Sequence, residues 1–374
     1  MAVRAVVALT AVAAPMGATG GESHRLYFGH YDIKNGLSQN TVHCSLQDRQ
    51  GFLWFGTKDG LNRFDGVAFK NLSENTPEGE RCSFVSALYE DGDGLIWVGG
   101  HNGAFIYDPV TERLTKFDVK TAEGHEITTQ VQQFTVDGKG NIILVIDTDG
   151  VYCYEKKSGR LTALHNRRDP AVGLINRVAY DPTGRAWIGS FGQGLFYSDD
   201  NMKTIRRFEN ERGERYFGSA IVNDIVLRGD KIYVATEREG LHVIDVHTGV
   251  GKPVFVTDER GEVPYMRKLM FYGGSEVWIA SESGLYVYDI VKNELTSHLT
   301  HNYFDKYSIS DNAIYSLLAD RDGGVWVGSY FGGVDYLDNN MMMFDKFYPD
   351  TSEKGLRGQR IREICGDPAT GDRR

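Results

Sequence analysis

One phrase recurs seven times along the 374 residues of this chain, and no other feature restricts its fold so strongly. Between Val42 and Gly66 the phrase is complete: an apolar strand, the turn Asp48–Gly51, a second strand bearing Trp54, a Gly60-Leu61 turn and a third strand. The anchor position of its second strand is then held by Trp97, Ile143, Trp187, Tyr233, Trp278 and Trp326, at intervals of 43, 46, 44, 46, 45 and 48 residues. A period in the forties with four short strands per unit is the signature of a β-propeller blade. One such sheet is too small to bury its own faces, so blades must pack on one another around an axis. The expected fold is therefore all-β, a seven-bladed propeller of four-stranded antiparallel blades, with each anchor aromatic packed between blades.

The repeats occupy 21–357 in this reading. Leu26–Tyr31 reads as the outermost strand of a missing preceding repeat, Met341–Tyr348 as the fourth strand of repeat seven, and 358–374 as the truncated start of another repeat, opening with Arg360–Cys365. A ring of seven can close by pairing one terminal strand with the opposite end, and seven is preferred because an eighth blade built from both strays would lack its Trp strand. Residues 1–20 read as a signal peptide: one positive charge at Arg4, an apolar run from Ala5 to Ala14 and a small-residue exit. That run is too short to span a bilayer. Cys44, Cys82, Cys153 and Cys365 form no CxxC and imply neither a disulfide framework nor a zinc site.

The formal charge of −10 is spread along the chain, which argues against nucleic-acid binding by this segment. Turns such as Asp91–Gly94 and Asp320–Gly323 invite a calcium reading, but each recurs at the hairpin point of its repeat, where Asp and Gly are ordinary turn residues. No catalytic constellation, metal-ligand spacing or phosphate loop is present in the sequence, so neither catalytic residues, metal nor cofactor are expected. His242 and His247 read as strand-surface residues. Loops between second and third strands vary most and gather around the channel mouth of a propeller, where sites are commonly built. Lys58, His101, Asn102, Gln193, Arg238, Tyr330 and Phe331 are the candidate ligand-binding residues on that argument; their mixture of aromatic and hydrogen-bonding groups suits a carbohydrate.

From Gly36-Leu37-Ser38 through Asn40-Thr41-Val42 to the run Gln47–Gly66, the wording resembles the first repeat of the two-component regulator propeller family. Repeats two, four, six and seven are similar through Trp-Val/Ile-Gly/Ala, and repeats three and five are degenerate. The resemblance implies the periplasmic sensor region of a hybrid two-component system, in a parent anchored in the inner membrane. Such a parent continues with further sensor parts and a histidine kinase core, works as a homodimer, and senses oligosaccharides. The expectation for this segment is a non-catalytic part that contributes to recognising a glycan-derived ligand. The alternatives are a propeller lyase or hydrolase with a channel-mouth site, and a protein-interaction scaffold.

Overall fold

The computed structural model describes residues 26–72, 81–166, 171–218 and 220–339. Their strands form seven four-stranded antiparallel sheets, six of them with strands in chain order, so that each repeat is one blade. The inner strands are Val42–Gln47, Ala87–Glu90, Val131–Val136, Ile175–Tyr180, Val222–Arg228, Met266–Tyr272 and Ile314–Ala319. Each inner strand adjoins the inner strands of both neighbouring blades, and the circuit is closed.

The anchor residues lie where the spacing places them, one per second strand: Leu53–Thr57, Ile96–Gly100, Ile142–Ile146, Ala186–Ser190, Lys231–Thr236, Glu276–Ser281 and Val325–Ser329. Seven apolar clusters result, and each joins two blades. Trp54 packs with Val85, Val98 and Phe105 of blade two, Ile143 with Val178 and Ile188 of blade four, and Trp326 with Val42, Phe55 and Phe64 of blade one. The core is thus a ring of interfaces, and stripping a buried indole from one of them costs about 3–5 kcal/mol. Two residues after the Trp, glycine admits the next blade. A Cβ on Gly56 would stand 2.6 Å from Val85 Cγ1, and one on Gly328 would stand 2.8 Å from Val42 Cγ1.

The acidic turns serve the same packing. Asp48 accepts hydrogen bonds from the backbone of Gln50 and Phe52 through Oδ1 and from Trp54 Nε1 through Oδ2, at 2.9, 3.0 and 2.8 Å. Asp91, Asp181 and Asp320 hold Trp97, Trp187 and Trp326 in the same way, each at 2.9 Å. In blade three Ile143 has no side-chain N–H to offer, and Asn141 Nδ2 donates to Asp137 instead. These carboxylates are therefore engaged as turn and indole acceptors, in keeping with the turn reading.

The ring closes as expected, by pairing one terminal strand with the opposite end, but the origin of that strand differs from the expected one. Phe28–Tyr31 is not left over from a preceding repeat; it pairs antiparallel with Val334–Leu337 and is the outermost strand of blade seven. The reason is the edge that Val334–Leu337 would otherwise present, a row of unpaired backbone groups that the start of the chain can satisfy. Aromatic rings seal the seam beside it, with Tyr31 5.2 Å from Phe64 of blade one and 5.7 Å from Trp326. The expected strands Met341–Tyr348 and Arg360–Cys365 and the signal-peptide reading lie outside the described residues.

Cys44, Cys82 and Cys153 are free thiols, and burial pushes Cys44 and Cys82 up to about 12. His242 is no surface residue: it is buried, its Nε2 donates to the Glu239 carbonyl, and Nδ1 accepts from the Tyr216 hydroxyl. Its third strand turns inward against Phe217, which period-two alternation alone did not reveal. Among the described residues no helix is long and apolar enough to cross a membrane.

Candidate ligand site at the channel mouth

Every inner strand begins with a buried apolar residue, Val42, Val131, Ile175, Val222, Met266 or Ile314, with Val85 just ahead of the strand in blade two. The next residue is turned toward the axis. In chain order these are His43, Ser86, Gln132, Asn176, Asn223, Arg267 and Tyr315, and all seven line a cavity of about 290 Å³ at one mouth of the channel. Phe84, Gln130, Arg177, Phe191 and Tyr265 complete it. Below it lies a second chamber of about 180 Å³, reached past His43, Ser86, Gln132, Arg177 and Tyr315, with Ser45, Gln133, Lys268 and Ser316 on its walls.

Several of these side chains also tie the ring together. Ser86 Oγ donates to the Val131 carbonyl at 2.7 Å, Asn176 Nδ2 to that of Val222 at 2.9 Å, and Asn223 Nδ2 to that of Met266 at 2.8 Å. Gln133 makes two bonds to the backbone of Val178. The amides of the mouth are thereby held at fixed places by neighbouring blades, as a pre-organised site requires.

On one side the wall is aromatic. The His43 ring lies 4.5 Å from that of Phe84 and 5.6 Å from that of Tyr315, and Tyr315 is 5.3 Å from Tyr330. Arg267 stands over both Tyr315 and Tyr265, its Cζ 4.1 and 4.8 Å from the ring centres, and its guanidinium is bonded to Glu282. Phe84 is held at φ 49°, a left-handed conformation that a bulky residue adopts at a cost. Burial, with Arg267 and Lys58 nearby, lowers His43 to about 4, so its imidazole is neutral at physiological pH. Opposite stands Arg177, whose Nη1 donates to the Asn176 carbonyl at 2.9 Å and whose Nε has no hydrogen-bond partner.

The seven residues expected from the variable loops stand around this cavity rather than in its wall. Lys58, His101 and Tyr330 open their loops, and their backbone N–H groups donate to the carbonyls of Thr41, Ser83 and Ala313, which precede the inner strands. Phe191 holds the same position in blade four, where it does enter the lining. Asn102, Gln193, Arg238 and Phe331 lie one or two residues further along their loops. Arg238, 81% exposed, pairs with Glu237, and Phe331 is 72% exposed. The inner-strand residues escaped the sequence reading because a polar side chain that alternates with apolar ones looks like any solvent-facing residue. The available signal was a polar residue or Tyr directly after the first apolar residue of every repeat.

A second cluster, Asp258, Glu259 and His298, brings three donor atoms within 4.8 Å of one another, with His298 on the outermost strand of blade six and the two acids just after that of blade five. Its groups are already engaged: Asp258 accepts from the backbone of Arg260 and Glu262 and from Tyr286, and His298 bonds to Glu259 and the Ser283 carbonyl.

The family described as two component regulator propeller matches residues 36–59, 79–102 and 308–331, in blades one, two and seven. Those three segments match two component regulator propeller repeats. Each matched segment holds an inner strand and an anchor strand and ends at Asp59, Asn102 or Phe331. Over 57 residues, 15% of this chain and 4% of the other, the sequence is 44% identical to histidine kinase P4 of Formosa agariphila. A solved structure described as the extracellular domain of a hybrid two component system of B. thetaiotaomicron superposes with a TM-score of 0.76 at 20% identity, over 92% of this chain and 46% of that one. Virginiamycin B lyase from Staphylococcus aureus superposes with a TM-score of 0.63 at 9% identity, over 84% and 99%. At such identities the likeness is one of fold. The chain spans less than half the length of the B. thetaiotaomicron structure, and the matched stretch is a small part of the kinase.

Proposed function

We propose that this chain is the extracytoplasmic sensor propeller of a hybrid two-component signalling protein, non-catalytic itself, and that it takes a glycan-derived ligand at the channel mouth. The observation that carries the ligand reading is the composition of that mouth. The exposed faces of Phe84, Phe191, Tyr265 and Tyr315 stand with the amides of Gln130, Gln132, Asn176 and Asn223 in one cavity. Sugar rings present C–H faces that stack on aromatic rings and hydroxyls that exchange hydrogen bonds with amides, so the two kinds of group together suit a saccharide better than either alone. The sensor reading is supported by the regulator propeller repeats and by the described nature of the matched kinase and extracellular domain. A periplasmic place, an inner-membrane anchor and a homodimeric parent belong to the same proposal. Signalling then requires that ligand favour one arrangement of the parent, since only differential affinity shifts an equilibrium.

The lyase reading draws on the fold shared with virginiamycin B lyase. Acid–base chemistry in this mouth would fall to His43, whose pKa of about 4 makes it a poor proton acceptor at neutral pH.

The test is calorimetric titration of the purified chain with a panel of plant and host oligosaccharides, for wild type and Tyr315→Ala, with the products checked by mass spectrometry. Saturable binding weakened at least tenfold by Tyr315→Ala, with the saccharide recovered intact, is the expected result. No binding across the panel, or cleaved products, overturns it.

A further inference from the structure

Charge distinguishes the channel from the rest of an acidic molecule. Its two chambers share Arg177, the upper one adds Arg267 and the lower one Lys268, while no described Asp or Glu lines either. Two carboxylates stand just behind the walls. Glu282 accepts from Arg267 and, at 3.4 Å, from the Tyr315 hydroxyl. Asp224 accepts from Lys268 Nζ at 3.0 Å and from the Leu269 backbone at 2.9 Å. Arg267 and Lys268 are thus each answered by a carboxylate. Arg177 is answered by charge alone: its Nε ion-pairs with Asp224 Oδ1 at 3.8 Å, beyond hydrogen-bond reach, and its single side-chain hydrogen bond is to a backbone carbonyl.

Unsatisfied polar atoms gather at the same place. Buried side-chain atoms of His43, Ser45, Arg177 and Ser316 have no hydrogen-bond partner among the described residues, and all four residues stand on the walls of these chambers. Buried polar atoms are ordinarily paired, and a group of them converging on one cavity calls for a polar occupant. A guanidinium with an uncommitted Nε edge favours an oxyanion, which can accept two of its N–H groups at once.

We infer that the ligand taken at the channel mouth is an acidic saccharide, one whose carboxylate or sulfate group enters the channel and is received by Arg177. This rests on the glycan reading above and specifies its chemical class. The sugar ring lies in the upper cavity against Tyr315 and Phe84, and the anionic substituent points down the axis. There it meets Arg177, with the hydroxyls of Ser45 and Ser316 deeper in the channel. A neutral saccharide of the same shape leaves the guanidinium edge unanswered, and loss of one partner from a desolvated charged pair commonly costs at least about 30-fold in affinity.

Calorimetry with trigalacturonic acid, its carboxyl-reduced neutral counterpart and inorganic sulfate tests this on wild type and Arg177→Gln. The expected result is binding of the acid at least about 30-fold tighter than the neutral trisaccharide, a preference that shrinks as salt is raised and is lost in Arg177→Gln. Equal binding of acid and neutral saccharide by wild type overturns the inference and leaves the glycan reading standing. Sulfate bound as tightly as the acid also overturns it, because the site then recognises a bare anion. Failure of both saccharides to bind defeats this inference; the neutral and host oligosaccharides of the wider panel then decide the glycan reading separately. Should Arg177→Gln not fold, the wild-type comparison, which needs no substitution, decides alone.

Discussion

A single carboxylate shows how one residue type organises a blade. Asp48 is 2% exposed and gathers two turn amides and the Trp54 indole, so it fixes the hairpin and the rotamer of the principal packing residue together. Asp48→Ala should lower stability by about 2–3 kcal/mol, the cost of leaving a buried indole N–H and turn amides without acceptors. Asp137→Ala in blade three should cost about 1 kcal/mol, because the half-buried Asp137 holds an amide from its own turn in place of an indole. Denaturant midpoints of the two variants check the ordering, and equal losses would show that the indole bond adds nothing. The six-residue interval from Asp to Trp in blades one, two, four and seven was open to reading in the sequence. The turn and the packing aromatic were legible separately, while the bond between them required the fold to bring the indole back over the hairpin. The mouth residues His43 to Tyr315 were hidden for a different reason. Periodicity reports which strand faces are apolar, and an axis-facing side chain in a narrow channel resembles any solvent-facing residue.

At the scale of one element, the closing strand decides whether the ring exists. Its register sets His30 opposite Asp335, which is completely buried. The Lys306 carbonyl, 2.8 Å from His30 Nε2, requires a proton on that nitrogen, and Nδ1 faces the Asp335 carboxylate at 2.7 Å. Both nitrogens therefore donate, and the favoured form is the imidazolium. The hydrogen bond to Asp335 raises the His30 pKa above 6.5, against the opposing effect of burial, and the charge of Asp305 adds to the rise. A histidine whose pKa is raised on folding contributes stability that is whole below about pH 6.5 and is lost as pH climbs through the raised folded value. Melting midpoints between pH 6 and 9 should fall for the wild type beyond the trend of His30→Gln, the variant lacking the titration. Parallel curves would assign the pH dependence elsewhere. Leu26–Tyr31 was legible as a stray strand and closure by a terminal strand was open to expectation, but its pairing with Val334–Leu337 and the register of that pairing are encoded by no local pattern.

For the whole molecule, the mouth and the rim differ in what they demand of the ring. Rim loops belong to single blades, and each keeps its residues if a distant seam opens. The mouth is one surface assembled from seven inner strands, with amides oriented by bonds to the next blade, as Asn176 is to Val222 and Asn223 to Met266. A ligand seated there must bind the closed ring and stabilise it by mass action, by about 2.7 kcal/mol at a hundred times its Kd. For a chain of this size that is a rise of roughly 4 °C in melting midpoint. Arg238→Ala alters a side chain that is 81% exposed on the rim and should leave both affinity and the rise intact. Phe28→Asp touches no mouth residue, yet it places a charge where a closing-strand side chain is 2% exposed and packs against Trp278 and Ile309. It should weaken binding at least tenfold while far-ultraviolet circular dichroism still reports strand. Binding that survives Phe28→Asp and disappears with Arg238→Ala would move the site from the axis to the loops of blade five.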